Sequence, residues 1–422
     1  MATRSLSGIR RSARRRRWSG LAGLAALGVL AASCGGQVKH SSPATTAAFP
    51  TSTGPAPTTT PAYPSYAPWP EAGHDPRRSG ASSVKGPQTG KVRWIRNLGA
   101  PITAGPVVGP GGVIVVATDS GVLQALDPAT GADRWTFNGG TAYGANDLST
   151  SPAILPDGTI VWPGPSNTLF GISPAGKKRW TLSFPAMLLS PVVASPTKVY
   201  VSDTSGDLSS VQVGPSTAKV LWSLALGGGT GSSFGSPALG HGGTIYTTDK
   251  RQAIAVVDHG AKGTVLWRYT VGADIEVSPA VAADGTVVVG TNDPYQYGLS
   301  PTGALRWKVR RVSETYSSTA ATADGLTYYG DNNGIVYVTQ SSTGKPVVRY
   351  QGLEGVWSTP VVDSAHDAYF GTQGKHIYGY AYDGRKLFDI DAHAPIDSYP
   401  ALGGDGALII GTEKANLYSI GS

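Results

Sequence analysis

Five residues of this 422-residue chain combine suitable side chains with a shared position: Phe234, Glu276, Tyr316, Trp357 and Asp397. Each stands two residues before a recurring mark, usually a small residue followed by proline. Thr103, Ser149 and Leu188 hold the same place in three further units. If these positions line one opening, two carboxylates and three aromatic rings could bind a cation or stack a sugar or another flat ligand. Asp147, Asp274, Glu314 and Glu354, in the same loops, would make that face more negative. The alternative is a water-filled opening with solvated polar loops.

Other chemistries have less support. The seven histidines are scattered, with no i, i+4 pair of the kind that holds a metal on a helix. No phosphate-cradling Gly-x-x-x-x-Gly-Lys-Ser/Thr motif occurs. Asp203-Thr204-Ser205-Gly206-Asp207 and Asp331-Asn332-Asn333-Gly334 lack the alternating ligands and terminal Glu of an EF-hand loop, so they are expected to be turns. Cys34 is the only cysteine, which excludes an intrachain disulfide and a Cys-ligated zinc or iron–sulfur site. Metal and catalytic residues are therefore expected to be absent.

The formal charge of +7 suggests a polyanion partner until it is divided by position. Residues 1–33 carry seven arginines and no acid, which leaves 27 basic and 27 acidic residues beyond them. The remainder is neutral, and nucleic acid loses its support. Arg10 to Arg17 would form the positive region of an export signal, followed by a twelve-residue apolar run at 21–32. That run is too short to cross a hydrocarbon core of roughly 30 Å as a helix. It ends in Leu30-Ala31-Ala32-Ser33-Cys34-Gly35, which resembles a bacterial lipobox and implies lipidation of Cys34. An ordinary secreted protein with a free thiol is the alternative. Residues 34–68 read as a tether: seven prolines and no charge between Ser41 and Pro68 keep such chain extended and coreless.

Positioning the candidate residues falls to the remaining chain, residues 69–422. With 57 glycines, 31 prolines, ten tryptophans and nineteen tyrosines, the protein favours short strands and tight turns over helices. Four features recur in order. The first is the mark itself: Gly105-Pro106, Ser151-Pro152, Ser190-Pro191, Ser236-Pro237, Ser278-Pro279, Ser318-Thr319, Thr359-Pro360 and Tyr399-Pro400. A turn and a β-branched or aromatic run come after it, as in Asp157-Gly158-Thr159-Ile160. Next comes a polar hairpin tip such as Asp119-Ser120-Gly121. The last is an aromatic that closes a run: Trp94, Trp135, Trp180, Trp222, Trp267, Trp307, Tyr350 and Phe388.

Spacings of 39 to 46 residues with four strands per unit predict an all-β, eight-bladed β-propeller of four-stranded blades. The closing aromatics, at one phase in every unit, are expected to pack blades together rather than stack a ligand. Residues 91–96 form an aromatic-ended strand before the first mark, and the last unit, 399–420, lacks one. The N-terminal strand is therefore expected to complete the last blade and close the ring.

Ala125-Leu126-Asp127-Pro128-Ala129-Thr130-Gly131-Ala132-Asp133-Arg134-Trp135 resembles the tryptophan-docking repeat of PQQ-like (quinoprotein-type) propellers, and Trp69-Pro70-Glu71-Ala72-Gly73-His74-Asp75-Pro76 resembles their opening segment. The resemblance covers 69–422. It implies the fold and leaves the activity open, because one fold hosts many functions. Together with the lipobox it is similar to the outer-membrane assembly lipoproteins of Gram-negative bacteria, which implies a monomeric, non-enzymatic scaffold for an envelope protein or cell-wall polymer. That scaffold would be anchored by lipid to the outer face of the cell membrane or to the outer membrane. Two alternatives stay open: a dehydrogenase using PQQ and calcium, and an envelope sensor binding carbohydrate through the aromatic positions.

Overall fold

The computed structural model describes residues 68–140, 150–227 and 234–421; the export segment, Cys34 and the tether lie outside the described residues. Its strands form eight four-stranded antiparallel sheets. In seven of them the strands follow chain order from the axis outward. The eighth joins Ala401–Leu402, Leu408–Gly411 and Asn416–Gly421 to Lys91–Asn97 from the other end of the chain. Lys91 faces Gly421 and Asn97 faces Asn416, so the ring closes by the expected strand. An eight-bladed propeller is the result.

Burial falls from the axis outward, and composition follows it. The second strand of the first blade, Ile114–Thr118, is buried at every position, whereas the outer strand Gly263–Thr270 alternates exposed and half-buried residues. The apolar clusters lie between blades more than within them. One joins Val107, Leu123 and Ala125 of the first blade to Ile160, Trp162 and Ile172 of the second.

Tryptophans fasten these contacts. On the outer strand of one blade, each donates its indole N–H to the turn before the outer strand of the next. Trp94 bonds Pro128 O at 3.0 Å, Trp135 bonds Pro174 O at 2.8 Å and Trp180 bonds Gly214 O at 3.0 Å. Trp222 bonds Asp258 Oδ1 at 2.8 Å, Trp267 bonds Pro301 O at 2.8 Å and Trp307 bonds Ser341 O at 2.6 Å. Gly131 explains the glycine of the repeat: its φ is +68°, and a Cβ there would lie 2.8 Å from the Trp94 ring. Tyr350 instead stacks on Tyr380 of the next blade at 4.8 Å. Phe388 stacks on Tyr369 of its own blade at 6.0 Å and packs beside Gly90.

Two further rings surround the axis. The small residues of the marks link blades through hydroxyls: Gly105 N bonds Ser151 Oγ, Ser151 N bonds Ser190 Oγ, and Ser236 N bonds Ser278 Oγ. Ser278 N then bonds Ser318 Oγ, and Ser318 N bonds Thr359 Oγ1. The second ring is the opening segment, residues 68–82, which runs around the inside of the channel past the inner strands of seven blades. Val108 N donates to Trp69 O at 2.8 Å, Ile154 N to Pro70 O at 2.7 Å and Val193 N to Glu71 Oε2 at 3.0 Å. Leu239, Val281, Ala321 and Val362 donate in the same way to the carbonyls of Pro76, Arg77, Ser79 and Gly80. These seven N–H groups lie three residues after the mark in seven consecutive blades, facing the axis, where an unpaired donor would be costly. The chain's own backbone fills that end of the channel.

Candidate functional site

Among the described residues, the other end of the channel is open. Each inner strand begins there, and loops arriving from the preceding blade surround it. In five of these loops the third residue before the mark is buried and bonds the hairpin of the preceding blade: Ile102 N to Thr412 O, Ile275 N to Lys250 O, Thr315 N to Thr291 O, Val356 N to Asp331 O and Ile396 N to Thr372 O. The next residue then turns toward the axis, because extended backbone alternates its side chains. Thr103, Glu276, Tyr316, Trp357 and Asp397 follow directly from that register.

The structure brings these five residues and Phe234 together around one cavity of about 100 Å³. Leu188 departs from the expected position. It forms an antiparallel bridge with Asp203 and is 2% exposed within the apolar cluster between the second and third blades. The bridge shifts the buried position by one residue, and Met187 and Leu189 line the cavity instead. The all-apolar run Met187-Leu188-Leu189 conceals the shift in the sequence. Ser149 and Asp147 lie outside the described residues.

Neighbouring amides hold the two acids of the cavity. Asn292 Nδ2 donates to Glu276 Oε1 at 2.8 Å, and the Gln373 amide donates to Asp397 Oδ1. Tyr316 and Trp357 meet edge to face, with ring centres 5.2 Å apart and planes at 66°, and both are 7% exposed. The other loop acids turn to the rim. Asp274 pairs with Arg251 at 2.8 Å, Glu314 accepts from Asn332 Nδ2 at 3.2 Å, and Glu354 accepts from Thr372 Oγ1 at 3.2 Å. Asp203 and Asp331 spend their carboxylates on local backbone and hydroxyl donors, as turn residues do.

The opening segment lies beneath the residues that line the cavity. Arg78 extends beneath the marks, where Nε donates to Pro237 O at 2.7 Å, Nη1 to Ala72 O at 3.0 Å and Nη2 to Ser190 O at 3.0 Å. Glu71, 1% exposed, is pushed up to about 8 by burial, against the opposing pull of Arg78. Burial also lowers the pKa of His74, which lies against Trp69 with ring centres 4.6 Å apart.

Sequence reasoning missed three features of this region. Tyr399 lines the cavity from a mark position where five other units have serine, and that contrast was its signal. The serine hydroxyl ring was visible only as a recurring residue type. Gly231-Ser232-Ser233-Phe234-Gly235 has the spelling of a nucleophile elbow. An elbow, however, needs a strand-to-helix turn, and this segment connects strand Ala218–Ala225 to strand Ala238–Leu239. Its residues 231–233 lie outside the described residues.

The lining does not fit the quinone that the fold suggests. Pyrroloquinoline quinone is a tricarboxylate, and it would face Glu276 and Asp397 in a cavity that, among the described residues, is lined by no Lys, Arg or His. Arg78, outside the lining, donates three of its five N–H groups to carbonyls. Among the described residues, no group of three or more His, Cys, Asp or Glu is placed to hold a bridging metal ion.

Comparison with known proteins places the chain in a family. The sequence family described as outer membrane protein assembly factor BamB matches residues 83–218 and 206–351. Outer membrane protein assembly factor BamB of Moranella endobia is 24% identical over 229 residues, 50% of this chain and 55% of the relative. The protein of the same name from Yersinia pestis is 22% identical over 50% of this chain and 54% of its own length. The matched region thus spans about half the length of these curated relatives. Among solved structures, BamB from Moraxella catarrhalis superposes with a TM-score of 0.61 at 14% identity, covering 79% of this chain and 99% of that one. Quinohemoprotein alcohol dehydrogenase from Comamonas testosteroni gives 0.65 at 12% identity, covering 84% and 81%. These likenesses speak for the fold, and the family match reaches from the first blade into the sixth. The chain belongs to the PQQ-like propeller family of outer membrane protein assembly factor BamB.

Proposed function

We propose that this protein is a non-enzymatic envelope lipoprotein that presents the open mouth of its propeller to another envelope protein. The asymmetry of the channel carries the reading. Pro68 packs beside Gly404, in the turn after the last inner strand, so the tether joins the ring at the filled end. The mouth and its loops lie at the opposite end of the channel from Pro68. The lipobox-like segment ending at Cys34 supports lipidation and export, and the relatives named as outer membrane assembly factors support a scaffold role. The partner is an envelope protein, with a cell-wall polymer as the second class.

The solved quinoprotein dehydrogenases of similar fold favour a second reading, oxidation of alcohols or sugars with PQQ. The acidic lining opposes it. Calorimetric titration of the mature protein with PQQ and calcium separates the two: micromolar binding supports the enzyme, and no heat of binding supports the scaffold. Membrane fractionation tests the anchor. Cys34→Ser is expected to move the exported protein from the membrane pellet to the soluble fraction, whereas unchanged retention contradicts lipidation.

A further inference from the structure

We propose that the mouth cavity is a receptor for a protonated alkylamine, an ammonium group on a short aliphatic stem. The inference rests on the proposed role of the mouth as the interaction face, and it adds the chemistry the face recognises. Four aromatic residues, Phe234, Tyr316, Trp357 and Tyr399, and two acids, Glu276 and Asp397, line the cavity. Among the described residues, no cationic side chain does. The basic residues of the surrounding hairpins, Lys250, Arg251, Lys375 and Lys414, lie outside the lining, Arg251 is paired with Asp274, and Arg78 lies beneath the lining with its guanidinium bonded to three carbonyls.

Three properties select an amine. Aromatic faces attract a cation through their quadrupoles and favour a diffuse or alkylated ammonium over a strongly hydrated metal ion. Glu276 and Asp397 supply the counter-charge, and amides of Asn292 and Gln373 orient them. They precede the inner strands of the fifth and eighth blades, so they reach the cavity from different sides of the ring. The cavity, at about 100 Å³, is also well below the roughly 300–1,000 Å³ of sites for drug-sized ligands. A side-chain-sized group matches that volume, whereas a sugar ring or a tricyclic quinone exceeds it.

The test uses the mature protein in detergent with its indole N–H groups observed by NMR. The Trp357 signal is identified by its loss in Trp357→Phe. n-Butylammonium is expected to shift it saturably, and n-butanol at the same concentration is not. Glu276→Gln and Asp397→Asn should each weaken butylammonium binding roughly five- to tenfold, the size of a partly exposed charge contact. N-acetyl-lysine amide distinguishes the source. Binding as tight as butylammonium supports an amine presented by a protein, and weaker binding supports a small free amine. The proposal is overturned if butanol shifts the signal equally, if both acid variants bind unchanged, or if butylammonium produces no saturable shift. A partner cross-linked at the mouth without amine binding would overturn this inference alone. Amine binding with partner contacts only at the filled end would overturn the docking reading and leave the receptor.

Discussion

The two ends of the channel are built from the same eight blades, yet they treat polar groups in opposite ways. At the filled end, seven inner-strand N–H groups meet acceptors from residues 69–80, and Arg78 ties three carbonyls together. At the mouth, the loops place carboxylates and aromatic rings around a cavity instead of folding another segment into it. One end is committed to stability, where removing a partner leaves a buried group unsatisfied. The other is a surface on which substitutions should cost the fold little and binding much.

Arg78→Ala should therefore have the largest effect on stability. It strips donors from Ala72, Ser190 and Pro237 at once, and about 2–4 kcal/mol of destabilisation is expected for a buried network broken at its centre. Equilibrium unfolding in urea measures it, and an unchanged midpoint would show that the opening segment does not hold the ring. Glu71→Gln should act in the opposite sense and depend on pH. The carboxyl, ordinarily 4.5, is pushed up to about 8 in the fold, so the folded state binds more protons than the unfolded chain between those values. Stability from this group is full below 4.5 and lost as the pH rises toward 8. Gln can still accept the Val193 N–H. The variant should match the wild type near pH 4.5 and melt at increasingly higher temperature than it up to pH 8, and a pH-independent difference would contradict the assignment. The smallest effects belong to the mouth. Glu276→Gln and Asp397→Asn should each stay within about 0.5 kcal/mol of the wild type in the same urea measurement. A loss comparable to that of Arg78→Ala would mean that the mouth is structural too.

How much of this was legible in the sequence depended on whether a feature recurs. The marks and the closing aromatics appear once per unit, and the blade count and ring closure follow from their phase. Phe234, Glu276, Tyr316, Trp357 and Asp397 were legible because position relative to the mark fixes direction. Leu188 was misread because its bridge to Asp203 changes the register by one residue, and alternation then inverts the side chains. Glu71 and Arg78 were not legible as a channel filling. Their segment occurs once, has no period, and bonds mainly through backbone carbonyls, which every residue possesses. In the structure, the left-handed residues Gly73, His74, Arg78 and Gly80 coil the segment inside the ring.

The central claim is that the mouth is the working end and the filled end is structural. Photo-cross-linking in intact envelopes tests it most directly, with a photoreactive residue placed at Thr103 on the mouth or at Asp405 in the turn of the filled end. The account predicts a discrete adduct with another envelope protein from Thr103 and none from Asp405. Adducts from Asp405 with none from Thr103 would contradict it.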